Sequence, residues 1–106
     1  MVNSILTASG IAYRRARFVG NQPPTYAVYL DDVTAEGSDG AEVLVLRHDI
    51  TVELYESKPN DAAEAAIEAA IEAAGLAWTK QDRYWLQTEQ LYQVIYEFSY
   101  NTKRRT

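Results

Sequence analysis

The feature that most constrains this chain is an alternation of apolar and polar residues that runs from Val43 to Tyr55. Because successive side chains of a β-strand point to opposite faces, the alternation predicts one strand with a single face on the core. The predicted inward face carries Leu44, Leu46, His48, Ile50, Val52 and Leu54. At about 3.3 Å per residue the strand would span roughly 43 Å, about twice the usual length. Such a strand must bend, bulge or project beyond its domain, and Val43 and Val45 on the opposite face favour a projecting arm.

Shorter periodic segments precede and follow this strand. Alternation predicts strands over residues 11–18 and 25–30, and two more over residues 78–86 and 91–100. The first two are separated by a loop, because the consecutive prolines at positions 23 and 24 cannot donate to a sheet.

One long helix is predicted after the longest strand. Asp61 and Glu64 form a capping-box pattern at its start, and Gly75 ends it. Its apolar stripe consists of Ala63, Ile67, Ala70, Ile71 and Ala74. A shorter helix fits residues 2–9, because Gly10 suits the left-handed position that follows a helix.

Together these segments predict an α+β fold in which a mostly antiparallel four- to five-stranded sheet carries one long helix on one face. The predicted order is β-β-β-α-β-β, with an optional short N-terminal helix. We predict a single domain over residues 1–106, with residues 1–10 as a short helix or arm. Residues 31–41 are rich in acidic side chains and glycine and predict a mobile loop, and residues 101–106 predict a frayed polar tail.

The sequence contains no recognisable catalytic site. The absence of cysteine removes thiol nucleophiles and thiolate metal sites. His48 is the only histidine and lies among leucines and isoleucine, so we interpret it as packed and hydrogen-bonded, and no serine lies in a nucleophile turn beside it. The acidic residues 31–39 do not have calcium-loop spacing, and Glu64, Glu68 and Glu72 are predicted on a solvated helix face. We therefore expect no enzyme, no cofactor and no metal.

The charged and apolar residues outside the core predict a protein-interaction surface. The net charge of −5 argues against sequence-specific nucleic acid binding, and no apolar run approaches the ~20 residues of a membrane span. Whether the basic residues contact DNA stays open at this point. The candidate interface residues are Arg14, Arg15, Arg17, Asp31, Asp32, Glu36, Asp39, Val43 and Val45.

Several segments, taken in their order and spacing, resemble small proteins encoded among the head–tail genes of long, non-contractile-tailed phages and prophages of Gram-positive bacteria. The likeness runs from about Leu6 to Tyr100. It comprises Gly10-Ile11-Ala12-Tyr13 leading to Phe18, Pro23-Pro24-Thr25-Tyr26-Ala27-Val28-Tyr29, Asp31-Asp32, Glu53-Leu54-Tyr55, Lys58 and Asp61, then Glu64, Ile67 and Glu68, and finally Leu91-Tyr92-Gln93-Val94-Ile95-Tyr96-Glu97-Phe98. The alanine-rich helix and the basic C-terminal tail depart from that pattern.

The chain is thereby similar to the tail-terminator or tail-completion family. The resemblance implies an α+β subunit that forms a ring, commonly a hexamer, on the end of the tail tube. Such a ring stops tube polymerisation and presents a surface to the head connector. The implied partners are other copies of the chain, the tail tube protein and connector or neck proteins. The implied location is the host bacterial cytoplasm during assembly and then the virion tail.

A ring of identical subunits uses contacts in which one patch meets a different patch of the neighbour. The basic segment Arg14–Arg17 and the acidic segment Asp31–Asp39 are candidate complementary patches. Three alternatives stay open. The chain could be a neck or head–tail joining protein, or a monomeric module that binds other proteins through its sheet edges. A small hydrolase would require His48 to be exposed beside a carboxylate in a pocket.

Overall fold

The computed structural model describes residues 1–38 and 43–105. In this part of the chain, two helices and six strands follow one another in the order α1 Val2–Ser9, β1 Ala12–Arg15, β2 Tyr26–Ser38, β3 Val43–Glu56, α2 Asp61–Ala73, β4 Thr79–Lys80, β5 Tyr84–Leu86 and β6 Leu91–Arg105. The strands form one sheet in the order β1-β2-β3-β6-β4, and β5 also pairs with β6.

Local chemistry accounts for the end of α1 and the start of α2. α1 ends at Gly10, whose φ of 76° is the left-handed conformation that glycine adopts without a steric penalty. At the start of α2 the side chain of Asn60 accepts a hydrogen bond of 3.0 Å from the amide of Ala63. The predicted helix start is therefore one residue off, since Asn60 is the cap and Asp61 is the first helical residue.

The centre of the sheet is a long antiparallel ladder. β3 pairs with β6 from Val43 opposite Arg105 to Glu56 opposite Tyr92, without a break in register. On its other side, β3 pairs antiparallel with β2, with one irregularity between Ala35 and Gly37. β1 pairs with the start of β2 in the parallel direction.

The core lies between one face of this sheet and the two helices. The helices contribute Val2, Ile5, Leu6, Ile67, Ala70 and Ile71. The sheet contributes Ala27, Tyr29, Ile50, Val52, Leu54, Val94, Tyr96, Phe98 and Tyr100. The sheet residues of β3 and β6 are every second residue, as the alternation predicted, because only one face of the strands meets the helices.

The predicted α+β arrangement, a mostly antiparallel four- to five-stranded sheet with one helix on it, is wrong. The described chain forms a six-stranded mixed sheet and two helices. β1 is parallel to β2 because residues 16–25 return the chain to the start of the sheet before β2 begins, so β1 and β2 do not form a hairpin. The predicted strand over residues 78–86 is two short strands, because residues 81–83 leave the sheet between β4 and β5.

Two segments predicted outside the sheet belong to it. Residues 31–38 form the second half of β2 and not a loop, although the remainder of the predicted acidic loop, including Asp39, lies outside the described residues. Residues 101–105 complete β6 and are not frayed, whereas residue 106 lies outside the described part. Both segments are polar, but a ladder is held by backbone hydrogen bonds, which do not require apolar side chains.

Candidate assembly interface

β2, β3 and β6 continue past the helices as a three-stranded projection, which we call the arm. The arm comprises Asp31–Ser38 of β2, Val43–Asp49 of β3 and Ser99–Arg105 of β6. Of its side chains that the structure describes, only Tyr100 is buried. The arm gives the molecule its elongated shape of 51 Å by 27 Å by 21 Å. The projection predicted from the length of β3 is thus present, and it extends the sheet beyond the packed core.

His48 lies in the middle of the arm, on the face that continues the core. Its Nδ1 lies 3.0 Å from Oδ1 of Asp31, and its Nε2 lies 2.7 Å from the hydroxyl of Thr102. The ring stacks on Tyr100 with a centroid distance of 4.8 Å. A neutral ring protonated on Nδ1 satisfies both contacts, because it donates to Asp31 and accepts from Thr102. His48 joins all three strands of the arm, and the prediction of a packed, hydrogen-bonded histidine is confirmed.

The order Asp31–His48–Thr102 resembles the carboxylate–imidazole–hydroxyl chain of a hydrolase. The side chains of Asp31 and His48 are only 12% and 14% exposed, whereas Thr102 is exposed on a strand. A hydrolase also needs N–H donors that converge on one point to hold an oxyanion. The N–H groups of successive residues in a strand point in alternate directions, so β6 by itself does not supply such a site. The three residues are accounted for as a cross-strand clamp.

The two outer edges of the arm extend beyond the strands that flank the sheet. β1 pairs with β2 only as far as Tyr29, and β4 and β5 pair with β6 only as far as Glu97. Among the described strands, none pairs with the outer edge of β2 after Tyr29 or with that of β6 between Phe98 and Thr102. An edge of this kind is a template for hydrogen bonds to another strand.

The predicted acidic and apolar interface residues lie on this arm. Asp32 and Glu36 are exposed, whereas Asp31 is occupied by His48. Val43 and Val45 are half-buried in β3. Sequence reasoning missed Val33 of β2, which is 49% exposed on the arm. Val33 follows Asp31-Asp32 in the segment that was predicted as a loop. The alternation of apolar and polar residues therefore gave no sign that Val33 lies on the surface of a sheet.

The predicted basic residues lie outside the arm, on or just after the strand that flanks the start of β2. Arg14 and Arg15 belong to β1 and are exposed, and Arg17 follows that strand. The guanidinium of Arg14 lies 5.6 Å from the ring centroid of Phe18. Within the described residues none of these three arginines forms an ion pair with a carboxylate. The structure therefore places them on the same side of the sheet as the acidic edge of β2 but does not bring the two groups into contact.

A charge network around two buried glutamates, which we call the base network, lies at the other end of β3. It consists of Glu56, Asp61, Glu64, Glu68, Lys80 and Arg83. Lys80 lies 2.8 Å from Glu64, and Nε of Arg83 lies 3.0 Å from Glu64 and 3.7 Å from Glu56. Arg83 also pairs with Asp61. These contacts attach the segment that carries β4 and β5 to α2.

The carboxyl groups of Glu56 and Glu64 have opposite pKa shifts. Burial and then the adjacent Glu64 raise the pKa of Glu56 to about 7. Burial would raise the pKa of Glu64 as well, but Lys80, Glu56 and Arg83 hydrogen-bond to it and lower its pKa. Both carboxyl oxygens of Glu56 are buried, and no N–H or O–H group of the described residues is placed to donate a hydrogen bond to either of them. This arrangement is expected of a protonated acid that itself donates to Glu64.

Sequence reasoning missed the base network. Glu64 was predicted on a solvated helix face, but it is only 3% exposed because Lys80 and Arg83 cover it. One signal was present, since Glu56 continues the inward-facing alternation of β3 after Leu54. A carboxylate in phase with the core predicts a buried partner of opposite charge.

Comparisons with known proteins support the fold. No protein-family model matches the chain, and no curated protein matches it. A solved structure that the chain is similar to is a chain of the virion of a native gene transfer agent particle, with 17% identity and a TM-score of 0.64. The match covers 94% of this chain and 84% of that chain. At this identity the likeness shows a shared fold over nearly the whole length.

Two further properties of the described residues bear on binding. Their helices are too short or too polar to cross a membrane. Within the same ranges, no cluster of three or more histidine, aspartate or glutamate side chains has a geometry that would hold a metal ion.

Proposed function

We propose that this chain is a structural protein of a phage-like virion and, more specifically, a tail terminator that assembles as a hexameric ring. The ring would sit on the end of the tail tube, stop its polymerisation and present a surface to the connector proteins of the head. In this role the protein would act by binding and not by catalysis.

The observation that carries this proposal is the fold likeness to a subunit of a virion particle, which extends over 94% of the chain. The arm adds a physical argument, because a domain of this size gains little from a long, uncovered projection unless another molecule contacts it. The motif resemblance of residues 6–100 to tail-terminator proteins supports the finer assignment.

Native mass spectrometry of the purified protein over a concentration series, with negative-stain microscopy of each oligomer, tests this proposal. We expect a closed ring, with six copies as the expected number. A protein that stays monomeric throughout the series would contradict the ring assembly and favour a monomeric binding module. Binding of the ring to the end of purified tail tubes, and not to connectors alone, would distinguish a terminator from a neck protein.

A hydrolase is the third candidate, after a neck protein and a monomeric binding module; the hydrogen-bond chain from Asp31 through His48 to Thr102 raises it, and the burial of Asp31 and His48 argues against it. Its test is the hydrolysis of an activated ester by the wild-type protein and by Thr102→Ala and His48→Gln. Turnover that both variants abolish would support catalysis. Turnover that is absent or unchanged would leave the clamp as the role of these residues.

A further inference from the structure

The arm has two outer edges of similar length that run in the same direction. β2 and β6 are each antiparallel to β3, so they are parallel to each other. The β2 edge is uncovered by described strands from Leu30 to the irregularity after Ala35, and the β6 edge from Phe98 to Thr102. Each copy therefore carries two different edges on opposite sides of the same arm.

Symmetry determines which edges could meet. Rotation about a ring axis preserves the component of a strand direction along that axis, so β2 and β6 strands that run along the axis would adjoin in the parallel direction. A β6 edge beside a β2 edge meets this condition. Two-fold pairing of β2 with β2, or of β6 with β6, would be antiparallel and would close a dimer, which leaves no route to a ring.

Charge favours the same choice. The uncovered half of β2 carries the exposed carboxylates of Asp32 and Glu36, since Asp31 is occupied by His48, whereas β6 ends in Lys103-Arg104-Arg105. Opposite charges on neighbouring strands attract, so the basic end of β6 favours the acidic edge of β2 over a second β6 edge. The register places Gly37 and Lys103 opposite the same residue, Val45, so Glu36 lies near the level of the basic end of β6, whereas Asp32 lies at the level of Ser99.

The arginines near β1 are less suitable partners for the acidic edge of β2 than the basic end of β6 is. Arg15 and Arg17 lie on the β1 side of the sheet, which is also the side of Asp32 and Glu36. In a head-to-tail ring, the arginines and the acidic edge of β2 would both face the same neighbouring copy and would not face each other. The neighbour would contribute its β6 side, where Tyr84 and Trp85 of β5 are 66% and 37% exposed and would be covered.

We propose that the β6 edge of one copy pairs in parallel with the β2 edge of the next, so that the arms join into one continuous sheet. The segments that pair are Phe98–Thr102 of one copy and Leu30–Ala35 of its neighbour. This inference rests on the proposed assembly of identical subunits and names the contact that builds it.

Cysteine cross-linking tests the contact directly, because the chain contains no cysteine. Thr34 and Asn101 are exposed and are both opposite Arg47, so their side chains share the face without helices. They are two strands apart within one copy, roughly 9–10 Å, which is too far for an internal disulfide. Thr34→Cys and Asn101→Cys are made separately and mixed in equal amounts with a short bis-maleimide, which tolerates a small shift in register.

We expect the mixture to yield a cross-linked dimer of the two variants and each variant alone to yield at least tenfold less. Thr88→Cys, in the exposed turn before β6, is the control for random collision. Dimers that form equally well from one variant alone would overturn the proposal in favour of two-fold pairing. Absence of cross-links in a protein that native mass spectrometry shows to be a ring would overturn this contact and leave the proposed function standing. Absence of both the ring and the cross-links would contradict both proposals.

Charge reversal provides an independent measurement. Glu36→Lys and Arg104→Glu should each weaken self-association about fivefold per contact, and the double variant should recover it, because the two charges exchange places. Arg15→Glu should have a smaller effect. Loss of the ring with Arg15→Glu, together with no effect of Glu36→Lys or Arg104→Glu, would overturn the proposal in favour of the β1 arginines.

Discussion

The same strands build the base of the molecule and its arm, yet the two regions are stabilised differently. At the base, Ile50, Val52 and Leu54 of β3 are almost completely buried beneath the helices. In the arm, the equivalent positions Leu44 and Leu46 are only half-buried, and His48 makes polar contacts to both neighbouring strands. Alternation in a sequence therefore shows which face of a strand is apolar, but not whether anything covers that face.

The sharpest test of this difference is truncation of one leucine in each region. Leu54→Ala should lower the free energy of unfolding by about 2–4 kcal/mol, because it removes a fully buried side chain and leaves a cavity. Leu46→Ala should cost less than about 1 kcal/mol, since the site is partly open to solvent. Urea unfolding monitored by tryptophan fluorescence measures both. Equal losses would show that the arm is covered in solution.

The next effect concerns pH and the base network. A Glu56 carboxyl with a folded-state pKa of about 7 keeps its proton where the unfolded chain has lost it. Its contribution to stability is therefore full below the unfolded pKa and is lost as pH rises towards 7. Glu56→Gln cannot ionise, so its stability relative to the wild type should increase between pH 5 and 8 by on the order of 1–2 kcal/mol.

Urea unfolding at pH 5, 6, 7 and 8 measures this trend. Glu72→Gln, at an exposed position of α2 that accepts a hydrogen bond from Nε1 of Trp78, is the control for replacing a glutamate by glutamine elsewhere on this helix. A stability difference between Glu56→Gln and the wild type that is constant across this range would contradict the proposed protonation of Glu56.

A smaller and more local effect is expected at His48. His48→Ala removes hydrogen bonds to Asp31 and Thr102, so those amides of residues 99–102 that donate to β3 should exchange faster, by the equivalent of about 1 kcal/mol. Amides of Ile50 to Leu54 should be unaffected, since their protection comes from the base. Hydrogen exchange followed by NMR provides the measurement, and uniform acceleration over the whole sheet would show that arm and base open as one unit.

The smallest effect is expected on the other face of the arm. Arg47 and Asp49 form an ion pair of 3.0 Å, but their side chains are 51% and 45% exposed. Arg47→Ala should change the free energy of unfolding by less than about 0.5 kcal/mol, because exposed pairs are screened by water. Arg47→Ala is also the control for His48→Ala in hydrogen exchange, because it truncates the adjacent side chain of β3 on the other face of the arm. A loss above 1 kcal/mol in urea unfolding would show that this face is less open than its exposure indicates.

Where the sequence analysis failed, the missing information was the identity of a distant partner. The acidic segment from Asp31 onward lacks apolar alternation and was predicted as a loop, yet β3 supplies a backbone ladder for it as far as Ser38. Glu64 was predicted to face solvent, but Arg83, nineteen residues later, covers it. Residues of this kind acquire their role only when two segments meet.

The sequence by itself determined the properties that depend on neighbouring residues. It showed the phase of β3, the helix end at Gly10 and the inward, hydrogen-bonded position of His48, because alternation and glycine conformation act within a few residues. Only the tertiary structure decided the parallel direction of β1, the six-stranded sheet, the two uncovered edges of the arm and the burial of Glu56. These properties depend on which strands and charges meet across long stretches of chain, and local periodicity carries no information about that choice.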